Sequence, residues 1–205
     1  MPFAAAGCVV TVVEPNPNAL AALSRRAADA GVADRITAVQ ADSDALGSEV
    51  PAGGADLVLA HGLFEVVEDP KRTMAAIVET TAVGGAVSVL VANRTAAVLH
   101  RAIAGRLDEA GALVGEPSGR LADELLERRL DTKSLTRLLG DAGLVVELLQ
   151  GYGVLTDLVP SAALAKDPTA ADTLAELELR VATVPALRDV ATRLHALARR
   201  TVGAV

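Results

Sequence analysis

A chain of 205 residues, 51% of them hydrophobic, is long enough to bury one substantial core; a mean hydropathy of +0.38 spread over Ala, Val and Leu leaves no apolar run long enough to span a bilayer. A net charge of −7, a pI near 5.0 and only three aromatic residues (Phe3, Phe64 and Tyr152) argue against a broad basic nucleic-acid surface and against base stacking as a general mode of recognition. The single Cys8 rules out an internal disulfide, and with His61, His100 and His195 on separate segments it cannot complete a zinc set; a small buried thiol in a reducing cytoplasm is the expectation.

In chain order, Met1–Gly7 lacks a basic segment ahead of its apolar residues, so no signal peptide is expected; Ala4-Ala5-Ala6-Gly7 has the form of a last helical turn with a glycine cap. Val9–Val13 is a run of β-favouring residues that ends in Glu14 and Pro15-Asn16-Pro17. Asn16 suits a helix cap and Pro17 its first position, and Leu20 and Leu23 supply an apolar stripe up to Gly31. An acid at the carboxyl end of a strand in an open α/β sheet commonly takes ribose hydroxyls, so Glu14 is a candidate ligand residue; the alternative is an acid placed to favour the positive end of the next helix.

Arg35–Gln40 alternates as a second strand would, followed by Asp42 and Ser43 as a polar cluster past its carboxyl end. Asp56–Ala60 is a third short apolar run leading into His61-Gly-Leu-Phe-Glu65, in which Glu65 is expected to cap a helix. Asp69-Pro70 opens a helix through about Ala82, Gly84-Gly85 closes it, and Ala86–Ala92 is a fourth strand dense in valine. Thr95–Leu107 suits one amphipathic helix, Leu121–Leu126 a short one, and Asp131 or Thr132 caps another through Leu139. Leu144–Leu149 is a fifth strand and Asp172–Val181 has helical periodicity. In the tail, Arg193–Arg199 contains good helix formers, yet alternates as an antiparallel strand could.

Strands alternating with helices imply a Rossmann-like, doubly wound, mostly parallel sheet with helices on both faces. One domain over 1–205 is expected, with residues 93–130 as a helical insertion.

Val-Thr-Val-Val-Glu14, Gln-Ala-Asp42-Ser43, His61-Gly-Leu-Phe-Glu65 and Val83-Gly-Gly-Ala-Val-Ser-Val together resemble class I S-adenosylmethionine-dependent methyltransferases. In the second half, Ala92-Asn93-Arg94, Arg128-Arg129-Leu130-Asp131, Leu138–Leu144 and Gly151-Tyr152-Gly153-Val154 are similar to the bacterial enzyme that methylates 5-carboxymethoxyuridine at the tRNA wobble position. Thr192–Arg200 is similar to that family's final strand, so an antiparallel C-terminal edge strand is expected. The resemblance implies S-adenosyl-L-methionine as cofactor, with Glu14 on its ribose, Asp42 and Ser43 beside its adenine, and His61 at the methionine half. It places residues 93–130 on the acceptor side. A tRNA or a small molecule is the implied methyl acceptor.

Transfer to a carboxylate needs a cation to orient it, which makes Arg94, Arg101, Arg128 and Arg129 candidates, with Asn93 and Tyr152 beside strand ends. No catalytic base is evident and no metal is expected. No glycine-rich turn of the G-x-G kind precedes Glu14, so the first strand and its loop are expected to be missing, and a homo-oligomer or another partner could complete the sheet. A small-molecule methyltransferase and a non-catalytic remnant are the alternatives.

Overall fold

The computed structural model describes residues 1–165 and 169–202; the single-domain span 1–205 therefore includes a few positions outside the described residues. In chain order it contains α1 (Pro2–Ala5), β1 (Val10–Val13), α2 (Pro17–Asp29), β2 (Ile36–Val39), α3 (Leu46–Glu49), β3 (Ala55–His61), α4 (Pro70–Thr80) and β4 (Thr81–Ala92). There follow α5 (Arg94–Ile103), α6 (Leu107–Val114), α7 (Thr132–Asp141), β5 (Leu144–Tyr152), α8 (Ser161–Leu164), α9 (Ala170–Val181), α10 (Pro185–Arg188) and β6 (Arg193–Arg200). Short polar side chains start four of the helices by accepting otherwise unpaired backbone N–H groups: Asn16 for α2, Asp69 for α4, Asn93 for α5, and Asp131 with Ser134 in a reciprocal box for α7.

The strands form two ladders. β1 pairs with β2 in parallel, and a second sheet has the order β3-β4-β6-β5, in which β3 and β4 are parallel and β6 runs antiparallel to both β4 and β5. The C-terminal strand is thus antiparallel as expected, but it is interior; β5 forms the edge. Pairing on both sides makes it interior: Arg193–Arg199 bonds to Ala86–Ala92 of β4 and Arg193–Arg200 to β5, with Leu194, Ala196 and Ala198 fully buried on the core face.

Three local expectations are corrected. The helix through Ala82 ends at Thr80, and β4 begins at once, because Gly84-Gly85 is an irregularity within the strand. A Cβ on Gly85 would lie 2.8 Å from the Ala82 carbonyl and 3.0 Å from that of Asp56, where the β3–β4 register shifts. The helix expected over Thr95–Leu107 is two, α5 and α6, parted at Gly105 with φ +76°. Leu121–Leu126 forms turns rather than a helix; within it the Glu124 carboxylate takes the Leu121 N–H at 2.8 Å and is gripped by Arg101 and Arg129. Cys8, expected to be buried, is exposed in the link between α1 and β1.

The core lies on one face of the four-stranded sheet. Val87, Val89 and Val91 of β4 and Leu194 of β6 pack with Phe64, Met74 and Ile77 and with Leu135 and Leu139 of α7. The opposite face is open: Leu57 and Leu59 of β3 remain 39% and 46% exposed. Leu139→Ala is therefore expected to cost about 2–5 kcal/mol, and Leu59→Ala less than about 1 kcal/mol, in urea unfolding. Equal losses would contradict a one-sided core.

Candidate functional site

The parallel strands deliver polar residues to their carboxyl ends. Glu14 follows β1, and its backbone N–H still pairs with the Val39 carbonyl at 3.1 Å, while its side chain accepts from Asn16 N–H at 2.9 Å. That bond fixes one carboxylate oxygen of a half-buried side chain. Asp42 and Ser43 follow β2 and are hydrogen-bonded to each other at 3.2 Å, Ser43 donating. His61 is the last residue of β3, and Asn93 follows β4. This is the edge on which ligands of open α/β sheets bind.

His61 begins a chain of hydrogen bonds over the open face of the sheet. Its Nε2 lies 2.8 Å from Ser88 Oγ on β4, which lies 2.8 Å from His195 Nε2 on β6, whose Nδ1 lies 3.1 Å from the Gln150 amide nitrogen on β5. The two rings meet edge to face with centroids 6.0 Å apart. Burial and then the Arg193 guanidinium hold the His61 pKa below the usual imidazole value; burial and then His61 do the same for His195. Sequence reasoning singles out His61 but not Ser88, Gln150 or His195. Their only signal is a polar residue at an alternate position of an otherwise apolar strand.

Of the remaining expected residues, all but Tyr152 have structural partners. Asn93 is 2% exposed; its amide donates to the carbonyls of Asp189 (3.0 Å) and Ala191 (2.7 Å), and its oxygen caps α5. Arg94 is paired with Asp131 and donates to the Pro117 carbonyl at 2.8 Å. Arg128 donates to the carbonyls of Phe64, Val67 and Glu68, tying the 93–130 segment to the loop after β3. Arg129 grips both Glu124 oxygens at 2.7 Å, and Arg101 bonds Glu124 and Glu109. Tyr152 ends β5 and is 65% exposed. Glu65, expected to cap a helix, is buried and accepts instead from the Ala92 N–H at 2.7 Å, so it braces the end of β4.

Past the carboxyl end of β4, a cleft of about 310 Å³ is lined by Asn93, His100, Arg101, Arg106, Arg129 and Arg193 among others. It is cationic. Of these guanidiniums, Arg193 alone forms no ion pair among the described residues. No group of three or more His, Cys, Asp and Glu fit to hold a metal ion occurs among the described residues, and no helix there is long and apolar enough to cross a membrane.

Comparison with known proteins agrees with this layout. Residues 1–89 match the methyltransferase domain family. The chain superposes on an S-adenosylmethionine-dependent methyltransferase from Mesorhizobium loti (18% identity, 93% of this chain and 80% of that one, TM-score 0.56) and on one from Methanosarcina mazei (12% identity, 98% and 86%, TM-score 0.64). It also matches geranyl diphosphate C-methyltransferase from Streptomyces coelicolor, solved with S-adenosyl-L-homocysteine (14% identity, 95% and 65%, TM-score 0.55). The fold is that of S-adenosylmethionine-dependent methyltransferases. No curated protein sequence matches the chain.

The Glu124 cluster makes a pH prediction. Arg129 above all holds the Glu124 pKa down to about 2 from 4.5, against the opposing effect of burial. A depressed carboxylate pKa contributes stability that is present above pH 4.5 and lost as pH falls toward 2. Glu124→Gln is expected to cost about 1–3 kcal/mol at pH 7 and to flatten the acid limb of the stability curve, measured by urea melts from pH 7 to pH 2.5.

Proposed function

We propose that this chain binds S-adenosyl-L-methionine along the carboxyl ends of its parallel strands and transfers the methyl group to a carboxylate-bearing acceptor. The observation that carries it is the placement of Glu14, Asp42 with Ser43, and His61 at the carboxyl ends of β1, β2 and β3, strands of two parallel ladders (β1–β2 and β3–β4), on a fold shared with methyltransferases.

The residues present fit the nucleoside half of the cofactor. Glu14, steered by the Asn16 N–H, has a second carboxylate oxygen left to accept ribose hydroxyls; Asp42 and Ser43 stand one strand further out, where the base would lie. When bound, the cofactor supplies a methyl group already activated on sulfonium sulfur. A carboxylate acceptor brings its own lone pair, forms the new oxygen–carbon bond as the carbon–sulfur electron pair goes to sulfur, and leaves no proton to remove. The chain then needs to bind, align and keep water out.

A small acceptor is favoured over RNA. Arg94, Arg101, Arg128 and Arg129 are spent on carboxylates and carbonyls, while Arg199 pairs with Glu147 and Arg200 donates to the carbonyls of Glu79 and Thr81. Little of that charge remains for a phosphate backbone, which affinity for tRNA requires. A modified wobble uridine of tRNA is the second acceptor we consider, on the motif resemblance of residues 92–94, 128–131 and 138–154.

Among the described residues, β1 and β3 each pair on one side only. A parallel strand seated on these edges, from a partner or a second copy or from polypeptide joined upstream, would complete the sheet and wall the methionine half. Calorimetric titration with S-adenosyl-L-methionine and S-adenosyl-L-homocysteine is expected to show weak or no binding by the chain alone and micromolar binding by an upstream-extended form. In the binding form Glu14→Ala should lose at least tenfold. Tight binding by the unextended, monomeric chain would show the added strand to be dispensable, and an unchanged Glu14→Ala affinity would refute the ribose assignment.

A further inference from the structure

The hydrogen-bond chain from Gln150 to His61 has a direction. An amide NH₂ only donates, so the Gln150 nitrogen at 3.1 Å requires a bare lone pair on His195 Nδ1. Neutral His195 must then carry its proton on Nε2 and donate it to Ser88 Oγ at 2.8 Å. The hydroxyl has one proton, which it donates onward to His61 Nε2 at 2.8 Å. His61, thereby required to accept at Nε2, carries its own proton on Nδ1, an atom with no hydrogen-bond partner among the described residues.

A second observation gives that unpartnered N–H a purpose. On β4, His61 pairs with Leu90 and Arg193 with Ala92, two residues apart and therefore on the same face of the sheet. Arg193 is exposed, forms no ion pair among the described residues and lines the cationic cleft at the end of β4. The charged and titratable groups acting on the His61 ring are Arg193 and, through Ser88, His195, both on β6; no carboxylate is among the groups that act on it. A neutral N–H donor and, across β4 on the same face and within electrostatic reach, a guanidinium with no ion pair among the described residues make a recognition site for an anion that spans the two.

We propose that Gln150, His195 and Ser88 are positioning residues that fix His61 as its Nδ1–H tautomer, and that His61 Nδ1–H and the Arg193 guanidinium together bind a carboxylate. The assignment rests on the methyltransferase reading only for the source of that carboxylate, which is either the amino-acid half of the cofactor or the methyl acceptor. The tautomer is a property of the chain itself.

The test is histidine-selective ¹⁵N NMR with long-range proton correlation, which assigns each ring's tautomer without any activity. The expected result is Nδ1–H for His61 and Nε2–H for His195. Gln150→Glu replaces the donor by an acceptor of the same size and should invert both rings, since His195 Nδ1–H would then donate to the carboxylate; Ser88→Ala should release His61 to the Nε2–H form favoured by free imidazole. A wild-type His61 found as Nε2–H, or a His61 tautomer that neither variant changes, overturns the proposal. Titration of the cofactor-binding form with sodium acetate, S-adenosyl-L-homocysteine and 5′-methylthioadenosine then probes the site. Movement of the His61 resonance by acetate, weakened about tenfold in Arg193→Ala, supports it. An added response to S-adenosyl-L-homocysteine but not to methylthioadenosine assigns the cofactor's carboxylate, and a response to acetate alone assigns the acceptor's. A His61 resonance indifferent to both carboxylates overturns the binding site, whatever the outcome of methyl-transfer assays.

Discussion

Parallel strands that are apolar on both sides must be covered on both faces and paired on both edges, and this constraint governs the molecule. β4 meets it best. Its valines at 87, 89 and 91 are wholly buried under α4 and α7, and its ladders to β3 and β6 leave no free edge. β1 and β3 meet it least. Each has one open edge, and Leu57 and Leu59 stay partly exposed although their side chains are those of a buried strand. The candidate site residues hang from these two strands and from β2, which also pairs only with β1: Glu14 from β1, Asp42 and Ser43 from β2, His61 from β3. The best-satisfied strand anchors the site, and the least-satisfied ones carry it.

The segment after β4 solves a different problem. Residues 94–131 bury a few side chains of α5 and α6, among them Ala96, Ala97 and Leu113, and the rest of the segment is held by charge-assisted hydrogen bonds made largely to itself and to the loop after β3. Glu124 is the hub, with Arg101 and Arg129 on its carboxylate and the Leu121 N–H completing its shell. Arg128 reaches back to three carbonyls between Phe64 and Glu68, and Glu65 reaches forward to the end of β4. Such interactions contribute more than exposed pairs because several donors share a shielded acceptor. They also consume the guanidiniums that the sequence alone offers as a basic groove.

How much of this is legible in the sequence follows from the range of the forces involved. Strand and helix placement rests on local periodicity and capping, so β1, β2, β3, α2 and α7 lie where Val9–Val13, Arg35–Gln40, Asp56–Ala60, Asn16-Pro17 and Asp131 put them. The glycine pair at 84–85 is ambiguous locally, because a helix stop and a strand irregularity both call for glycine; only the approach of Asp56 O from β3 decides between them. The interior position of β6 depends on pairing with strands more than 40 residues away, and alternation cannot distinguish an edge from a centre. The ion-pair partner of Arg129, Glu124, is 5 residues away and that of Arg94, Asp131, is 37 away, and whether either guanidinium faces a carboxylate or solvent depends on how the turns between them are folded. Ser88 and His195 are 107 residues apart, so their bond had no local signature at all.

The charge distribution ties the site to the rest of the chain. A net charge of −7 repels anions at long range, so an anionic ligand needs a local field to overcome it. The cleft beyond β4 provides one, with His100 and four guanidiniums lining it, of which three are partly neutralised by Glu109 and Glu124. Arg193 is the exception, and its position is dictated by the same alternation that buries Leu194. Because Leu194 must face the valines of β4, Arg193 and His195 must emerge on the opposite, open face, beside His61 and Ser88. The burial of one apolar residue in β6 thus sets both the uncompensated cation and the histidine network on the face where the sheet is uncovered, and a one-residue slip of that strand would exchange them for the core.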